Sequence, residues 1–227
     1  MPAGVVRWRV LRVVATGNVR DVPRRASRKA RLTGLGLVAL GSLLALTTCS
    51  VPGEEISAPV VRAYITGYSY FDNTPPGSAR ISHPVVHTVA GGIGTYEDPV
   101  TVAVGHVRED GDHRLDWPAG TRFYLPNLRR YLIVEDTCGD GERPQEAGCH
   151  SGYPADASTW LDVWVGGEGG TRAGAERCMA AFTGVWDVLV DPPPDLAVDP
   201  GEIYDPARDG HPDGCAEQYG NDVVRAR

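Results

Sequence analysis

The amino-acid sequence predicts an all-β domain, closed or nearly closed, with one helix before its last strand. Six short runs rich in β-branched and aromatic residues are separated by turn signals such as the segment Asp72–Gly77. The runs are Val60–Tyr70, Val100–Val104, Thr121–Leu125, Tyr131–Glu135, Leu161–Val165 and Val185–Val190. Short strands at this spacing are typical of a closed or nearly closed β structure.

A helix and a C-terminal extension complete the predicted domain. The segment Thr171–Phe182 combines alanines with charged residues, so it predicts a helix immediately before the sixth run. Pro192–Pro194 ends the strand formed by that run. From Asp195 onward the chain is acidic and rich in proline and glycine, which indicates a solvated tail.

The first 48 residues have the composition of an export signal or a membrane anchor. They hold nine of the 22 basic residues and a single acid, Asp21. Basic residues are followed by the apolar run Leu32–Leu46 and then by small polar residues, the order found in signal peptides. Positive charge before the run predicts that the rest of the chain is extracellular or at the cell surface.

Leu46–Cys49 resembles a bacterial lipobox, whose cysteine is lipidated. Thr48 stands where that motif usually has Gly, Ala or Ser, so lipidation at Cys49, plain cleavage and a retained anchor all stay open. Beyond residue 48 the sequence divides into a tether over 49–59, the barrel over 60–190 and the extension over 191–227.

The chain is strongly acidic after residue 48. It holds 13 basic and 28 acidic residues there, a formal net charge of −15 with neutral histidines. Such a surface repels nucleic acid and anionic lipid. We therefore expect no nucleic-acid partner, membrane contact only through the N-terminal segment, and a monomer.

Four cysteines remain once Cys49 is set aside, an even number that predicts two disulfides in an oxidising compartment. Three pairings are possible. We favour Cys138 with Cys149, which closes a short loop, and Cys178 with Cys215, which ties the extension down.

The stretch Gly120–Val165 carries a resemblance to a known family. Pro118–Thr121 leads into a strand, a hairpin, a strand ending in Glu135-Asp136-Thr137, and later Leu161-Asp162-Val163. This order resembles the double-psi β-barrel of rare lipoprotein A, expansins and family 45 endoglucanases. It is most similar to the three-aspartate domain of membrane-bound lytic transglycosylase A. The resemblance implies a six-stranded double-psi β-barrel over Val60–Val190.

One position departs from that family. Its first aspartate follows a strand shortly before the Gly-Thr signal, and the corresponding place here is Gly105 after Val102-Ala103-Val104. On this alignment a glycine replaces an acid. The resemblance then does not by itself imply a three-carboxylate site or transglycosylase activity.

Asp162 is the first candidate catalytic residue. Alternate side chains of a strand share a face, so Trp160, Asp162 and Trp164 point one way. Indole rings stack on sugar rings, and partial burial raises the pKa of an acid toward a value useful for protonating a glycosidic oxygen. The catalytic acid of family 45 endoglucanases looks equivalent to Asp162. Alternatively, Trp164 packs under the helix and Asp162 accepts backbone hydrogen bonds.

Asp136 and Asp72 are the two further catalytic candidates. Glycoside hydrolysis usually needs a second carboxylate, which Asp136 could supply, whereas a lytic transglycosylase needs only one acid. Asp136 could instead hold the turn before Cys138. Asp72 follows Tyr68-Ser69-Tyr70-Phe71, which resembles the first strand of the barrel endoglucanases, and its alternative role is an Asx turn.

We expect no metal and no cofactor. His83 and His87 are four residues apart, but the intervening Pro84 makes a helix unfavourable, so they do not form a pair of metal ligands on one helix face. His106 is the third histidine that could lie near them. Asp205, Asp209 and Asp213 lack the spacing of a calcium loop.

The sequence therefore predicts an exported barrel that binds cell-wall polysaccharide, either peptidoglycan or a plant or fungal wall glycan. The expected groove is lined by Tyr68, Tyr70, Trp160 and Trp164. Gly105 favours a non-catalytic or weakly catalytic module. The alternatives are a glycosidic-bond-cleaving enzyme with Asp162 as general acid, and a secreted protein-binding module.

Overall fold

The structure is a computed structural model and describes residues 56–139, 141–208, 210–211 and 213–226. The predicted leader, most of the tether, the lipidation candidate Cys49 and Asp209 lie outside these residues. In the described part of the chain, no helix is both long enough and apolar enough to cross a bilayer.

Six strands form a closed barrel, which confirms the predicted fold class. Eight strands are present among the described residues, and two of them form a separate hairpin. In chain order they are β1 Val60–Tyr68, β2 Val100–Val104, β3 His106–Glu109, β4 Asp112–Leu115, β5 Arg122–Leu125, β6 Arg130–Thr137, β7 Thr159–Trp164 and β8 Gly184–Val190. The barrel order is β1-β7-β2-β6-β5-β8.

Two parallel strand pairs interrupt an otherwise antiparallel barrel. β1 runs parallel to β7, and β2 runs parallel to β6, whereas every other neighbouring pair is antiparallel. The parallel pairs bring strands together that are far apart in sequence. The segments that follow β1 and β6 form loops at one pocket, which is described below.

The barrel is held by a continuous apolar core. Side chains such as Ile65, Val102, Leu132 and Leu161 are fully buried. On β7 the burial alternates as the sequence predicts, because Leu161 and Val163 face the core while Asp162 is half-buried. Burial of this surface is the main force that closes the sheet.

The hairpin of β3 and β4 was not predicted from the sequence. Its strands are short and mostly exposed, so they lack the alternation of apolar residues that marks a half-buried strand. The turn Asp110-Gly111 has positive φ at both residues, 52° and 91°, as a tight two-residue hairpin requires. This Asp-Gly pair is the signal in the sequence that could have located the hairpin.

The predicted helix is present as α1, Arg172–Phe182, and it packs on β1. The Thr171 side chain caps it by accepting a hydrogen bond from the Gly174 N–H at 3.1 Å. Gly67 of β1 permits the close approach, since a Cβ there would lie 2.8 Å from atoms of Met179 and Phe182.

Both favoured disulfides are present, Cys138–Cys149 and Cys178–Cys215. The extension is not a solvated tail, because it packs against the barrel and buries several apolar side chains. These are Leu196, Ile203, Tyr204, Ala216 and Val223. Its apolar residues are too widely spaced to show a periodicity, which is why the sequence alone suggested a solvated segment.

Candidate functional site

Four residues on adjacent strands form a row across the barrel wall. Thr66 of β1 is paired with Asp162 of β7, and Asp162 is paired in turn with Ala103 of β2. Ala103 is also paired with Asp136 of β6. Two aspartates thus flank one alanine, although they lie 26 positions apart in the sequence.

A β-bulge on β6 sets the direction of two adjacent acids. The register between β2 and β6 shifts after Val102, which pairs with Val134, so that Ala103 pairs with Asp136. Glu135 is the extra residue. A bulge changes the direction of the side chains that follow it, and here Asp136 belongs to the row while Glu135 makes a separate buried network.

The row opens into a polar pocket of about 490 Å³. Its wall includes all three sequence-predicted acids, Asp72, Asp136 and Asp162. Arg80 and Ser82 come from the segment that follows β1, and Cys138 brings one disulfide to the wall. The fold therefore brings together carboxylates from three distant parts of the chain.

Asp162 is the least constrained of these acids. It accepts a hydrogen bond from the Thr66 Oγ1–H at 2.6 Å. Burial raises the pKa of Asp162 from its ordinary value of 3.8 to about 7; the Thr66 bond opposes this, while the negative charges of Asp72 and Asp136 add to it. A carboxyl with this pKa exchanges a proton near neutral pH.

Asp136 is surrounded by hydrogen-bond donors. Its Oδ1 accepts from the backbone and hydroxyl of Ser82, at 3.0 and 2.9 Å, and from the Thr137 N–H at 2.9 Å. Its Oδ2 accepts from the Tyr68 hydroxyl at 3.1 Å. Burial raises the pKa of Asp136 despite these four bonds, and the bonds fix its orientation at the start of the turn toward Cys138.

Asp72 makes a local contact rather than the predicted Asx turn. Its Oδ1 accepts from the N–H and the hydroxyl of Ser69, at 2.7 and 2.6 Å. The side chain that hydrogen-bonds to the backbone after it is that of Asn73, whose oxygen accepts from the Thr74 N–H at 2.8 Å. Asp72 thus lines the pocket and also stabilises the turn formed by residues 69–72.

The four predicted sugar-binding aromatic residues are not gathered in the pocket wall. Tyr68 is there, buried and bonded to Asp136. Trp164 lies beneath it, with ring centroids 5.1 Å apart in an edge-to-face contact, and Tyr70 packs edge-to-face on Phe71. Trp160 is half-buried, packs on Tyr64 and donates to Thr66 Oγ1 at 2.7 Å.

The structure places Gly105 outside the pocket wall. A Cβ at this position would lie 2.4 Å from the backbone N of His150 and 2.5 Å from an Asp116 oxygen. The residue of β2 that faces the two aspartates is Ala103, which lines the pocket. A third carboxylate on this strand would therefore have to stand at position 103.

A buried acid that was not predicted from the sequence lies beside the site. Glu135 is fully buried, and its Oε1 accepts three successive backbone N–H groups, those of Val85, Val86 and His87, at 2.6 to 3.1 Å. Its Oε2 accepts from Thr101 and contacts His87 Nδ1 at 2.7 Å. The signal was present, since Glu135 is a charged residue that continues an apolar run directly before Asp136.

The predicted histidines have separate environments. His87 bridges Glu135 and Asp98 through its two ring nitrogens, at 2.7 and 2.8 Å. Burial would lower its pKa, but the hydrogen bonds to Asp98 and Glu135 raise it. His83 contacts the Ser82 hydroxyl at 2.8 Å, and His106 stacks on His113.

Fold and site together define a six-stranded β-barrel protein with an acidic pocket in its wall. The chain belongs to the family described as the DDB_G0273701 N-terminal domain, whose model matches residues 60–215. A relative named as an uncharacterized protein of Dictyostelium discoideum is 29% identical over 163 residues. The match covers 70% of this chain and 64% of the relative. No solved structure matches the chain.

Proposed function

We propose that this protein binds a polysaccharide in the acidic pocket and that Asp162 transfers protons to and from a glycosidic bond there. One observation carries the proposal. Asp162 lines an open polar pocket, has a pKa of about 7 and receives a single hydrogen bond from the described side chains around it. It is therefore both accessible and able to change its protonation state.

The chemistry that suits this site uses one carboxyl group. Asp136 and Asp72 are each held by several internal donors, so neither is free to act as a base or nucleophile. A lytic transglycosylase needs only one acid, because a hydroxyl of the substrate attacks in place of water. Protonated Asp162 would give its proton to the glycosidic oxygen and then accept a proton from the attacking hydroxyl.

We further propose that the barrel has the double-psi topology. The two parallel pairs, β1 with β7 and β2 with β6, support this assignment because the strands of each pair are separated in sequence by other strands. The placement of Asp136 at the end of β6 and of Asp162 within β7 agrees with the motif resemblance. On this basis the substrate class is a wall glycan such as peptidoglycan, cellulose or chitin.

An extracellular or cell-surface location is part of the proposal. Two disulfides in a domain of this size are typical of proteins that fold in an oxidising compartment. The basic and apolar composition of the first 48 residues points the same way. The exported part would act as a monomer.

A non-catalytic binding module is the second candidate. Ala103 occupies the position at which a third carboxylate would join Asp136 and Asp162. In such a module Asp162 would only exchange hydrogen bonds with sugar hydroxyls, and Trp160 would offer its half-buried ring at the rim. The same pocket would then retain a glycan without cutting it.

Incubation of the purified protein with peptidoglycan, cellulose or chitin, followed by mass spectrometry, tests the proposal. We expect soluble fragments, with anhydro ends if a substrate hydroxyl attacks. Asp162→Asn should reduce their release by about 10²- to 10⁴-fold while pellet binding persists. The exposed Asp191→Asn is the matched control. Binding without fragments would favour the second candidate, and neither binding nor fragments would refute both.

A further inference from the structure

The disulfide at the pocket lies next to Asp162. The Sγ atoms of Cys138 and Cys149 and a carboxylate oxygen of Asp162 all lie within 4.8 Å of one another. Cys138 is half-buried and belongs to the pocket wall, so a small reagent can reach it. Two sulfurs and one oxygen therefore converge beside the pocket, which reaches them at Cys138 and Asp162.

The two disulfides of the chain differ in backbone conformation. Cys149 has φ = 73°, a left-handed backbone conformation that residues other than glycine rarely adopt. Cys178 lies within α1 and joins the helix to the extension, and neither it nor Cys215 has a positive φ. Each disulfide pairs one buried with one half-buried cysteine, so the difference lies in the backbone at Cys149. Strained or exposed disulfides are the ones most readily reduced. This comparison indicates that Cys138–Cys149 is reduced first.

The pocket around these sulfurs favours a cation. Asp72, Asp136 and Asp162 all line it, and the cationic side chain that lines it with them is Arg80. Thiolates and carboxylates are both ligands of Zn²⁺, which takes four ligands in a tetrahedral arrangement. Two cysteines and one aspartate supply three ligands, and the open pocket can supply water as the fourth.

We propose that Cys138–Cys149 is a reducible disulfide whose two thiolates, once released, bind Zn²⁺ together with Asp162. A dithiol reductant passes two electrons and two protons to the S–S bond, giving two thiols while the dithiol becomes its own disulfide. Zn²⁺ then displaces the two thiol protons. In the oxidised protein the sulfurs are bonded to each other and no thiolate is available. The inference does not depend on glycan cleavage.

Metal binding and alkylation on the whole chain test this proposal. We expect a graded dithiol buffer to expose Cys138 and Cys149 to alkylation before Cys178 and Cys215. After mild reduction the chain should bind one additional Zn²⁺ by calorimetry. Co²⁺ should give the absorption of a tetrahedral thiolate site, and reoxidation should release the metal. Reduction of Cys178–Cys215 first, or no metal binding after reduction, would overturn the proposal.

Two variants distinguish Zn²⁺ binding at this site from Zn²⁺ binding by the other cysteines of the chain. The Cys138→Ser/Cys149→Ser double variant keeps the other three cysteines and should lose the added Zn²⁺ site. Asp162→Asn keeps every thiol and should weaken Zn²⁺ binding by about tenfold or more. If reduction instead unfolds the chain, Zn²⁺ would bind equally well without Asp162. Equal affinity in the Asp162→Asn variant therefore refutes the proposed site.

Discussion

Asp136 and Asp162 share a single neighbour across the sheet. Each is paired in register with Ala103, Asp136 through the parallel ladder of β2 and β6 and Asp162 through the antiparallel ladder of β2 and β7. The two acids are nonetheless unequal, because four donors bind Asp136 while Thr66 donates to Asp162. Hydrogen bonding therefore holds the orientation of Asp136 more tightly than that of Asp162.

The raised pKa of Asp162 predicts a pH-dependent stability. The folded-state pKa of about 7 exceeds the ordinary value of 3.8, so the folded protein holds this proton more tightly than the unfolded chain does. The contribution of Asp162 to the free energy of unfolding is therefore fully present below about pH 4 and is lost as pH rises to about 7. Each unit of pKa corresponds to about 1.4 kcal/mol, which gives an upper bound of about 4 kcal/mol. Asp162→Asn should therefore flatten the pH profile of urea unfolding between pH 4 and 8, whereas Asp191→Asn should keep the wild-type slope.

Thr66 is predicted to control the protonation of Asp162. Its hydroxyl donates to the carboxylate and thereby stabilises the charged form. Thr66→Val removes the donor at nearly constant volume and should raise the pKa of Asp162 further, as followed by the carboxyl carbon resonance in an NMR titration. Thr66→Ser keeps the donor and should titrate like the wild type. A lower pKa in the valine variant would contradict the assigned donor.

Glu135 is predicted to contribute strongly to the stability of the fold. Burial alone would raise its pKa, but hydrogen bonds from His87 and Val86 outweigh burial and lower the pKa. Glu135→Gln replaces one accepting oxygen by an amide donor that faces other donors. We expect a loss of about 3 kcal/mol in the free energy of unfolding, measured with urea. The exposed Glu146→Gln should change it by less than about 0.5 kcal/mol.

Position 103 provides a direct test of the space between the two acids. Ala103 is buried and flanked by Asp136 and Asp162. Ala103→Asp would place a third carboxylate directly between these two acids, and we expect a loss of about 3 to 5 kcal/mol in the free energy of unfolding at pH 8. The loss should be smaller at pH 5, where the carboxyl groups of the pocket are more fully protonated. Ala103→Asn, which has the size of aspartate without its charge, measures the steric part. A loss for Ala103→Asp that is equal at both pH values would exclude charge repulsion.

Part of the site was predictable from short-range patterns. The alternation along β7 placed Asp162 opposite Leu161 and Val163, and the burial of these residues agrees with it. Both disulfides were predicted from cysteine spacing. The bulge on β6 was not predicted, because the position of an extra residue depends on the register against β2, which local patterns do not contain.

The sequence by itself predicted the six barrel strands, the helix, the favoured cysteine pairs and the candidate acids, because each depends on local periodicity, turn residues or spacing. Only the tertiary structure decided which acids meet, because the register of β2 against β6 and β7 depends on contacts between distant segments. It placed Ala103 rather than Gly105 between Asp136 and Asp162. It also raised the pKa of Asp162, since burial and neighbouring charges are properties of the folded chain.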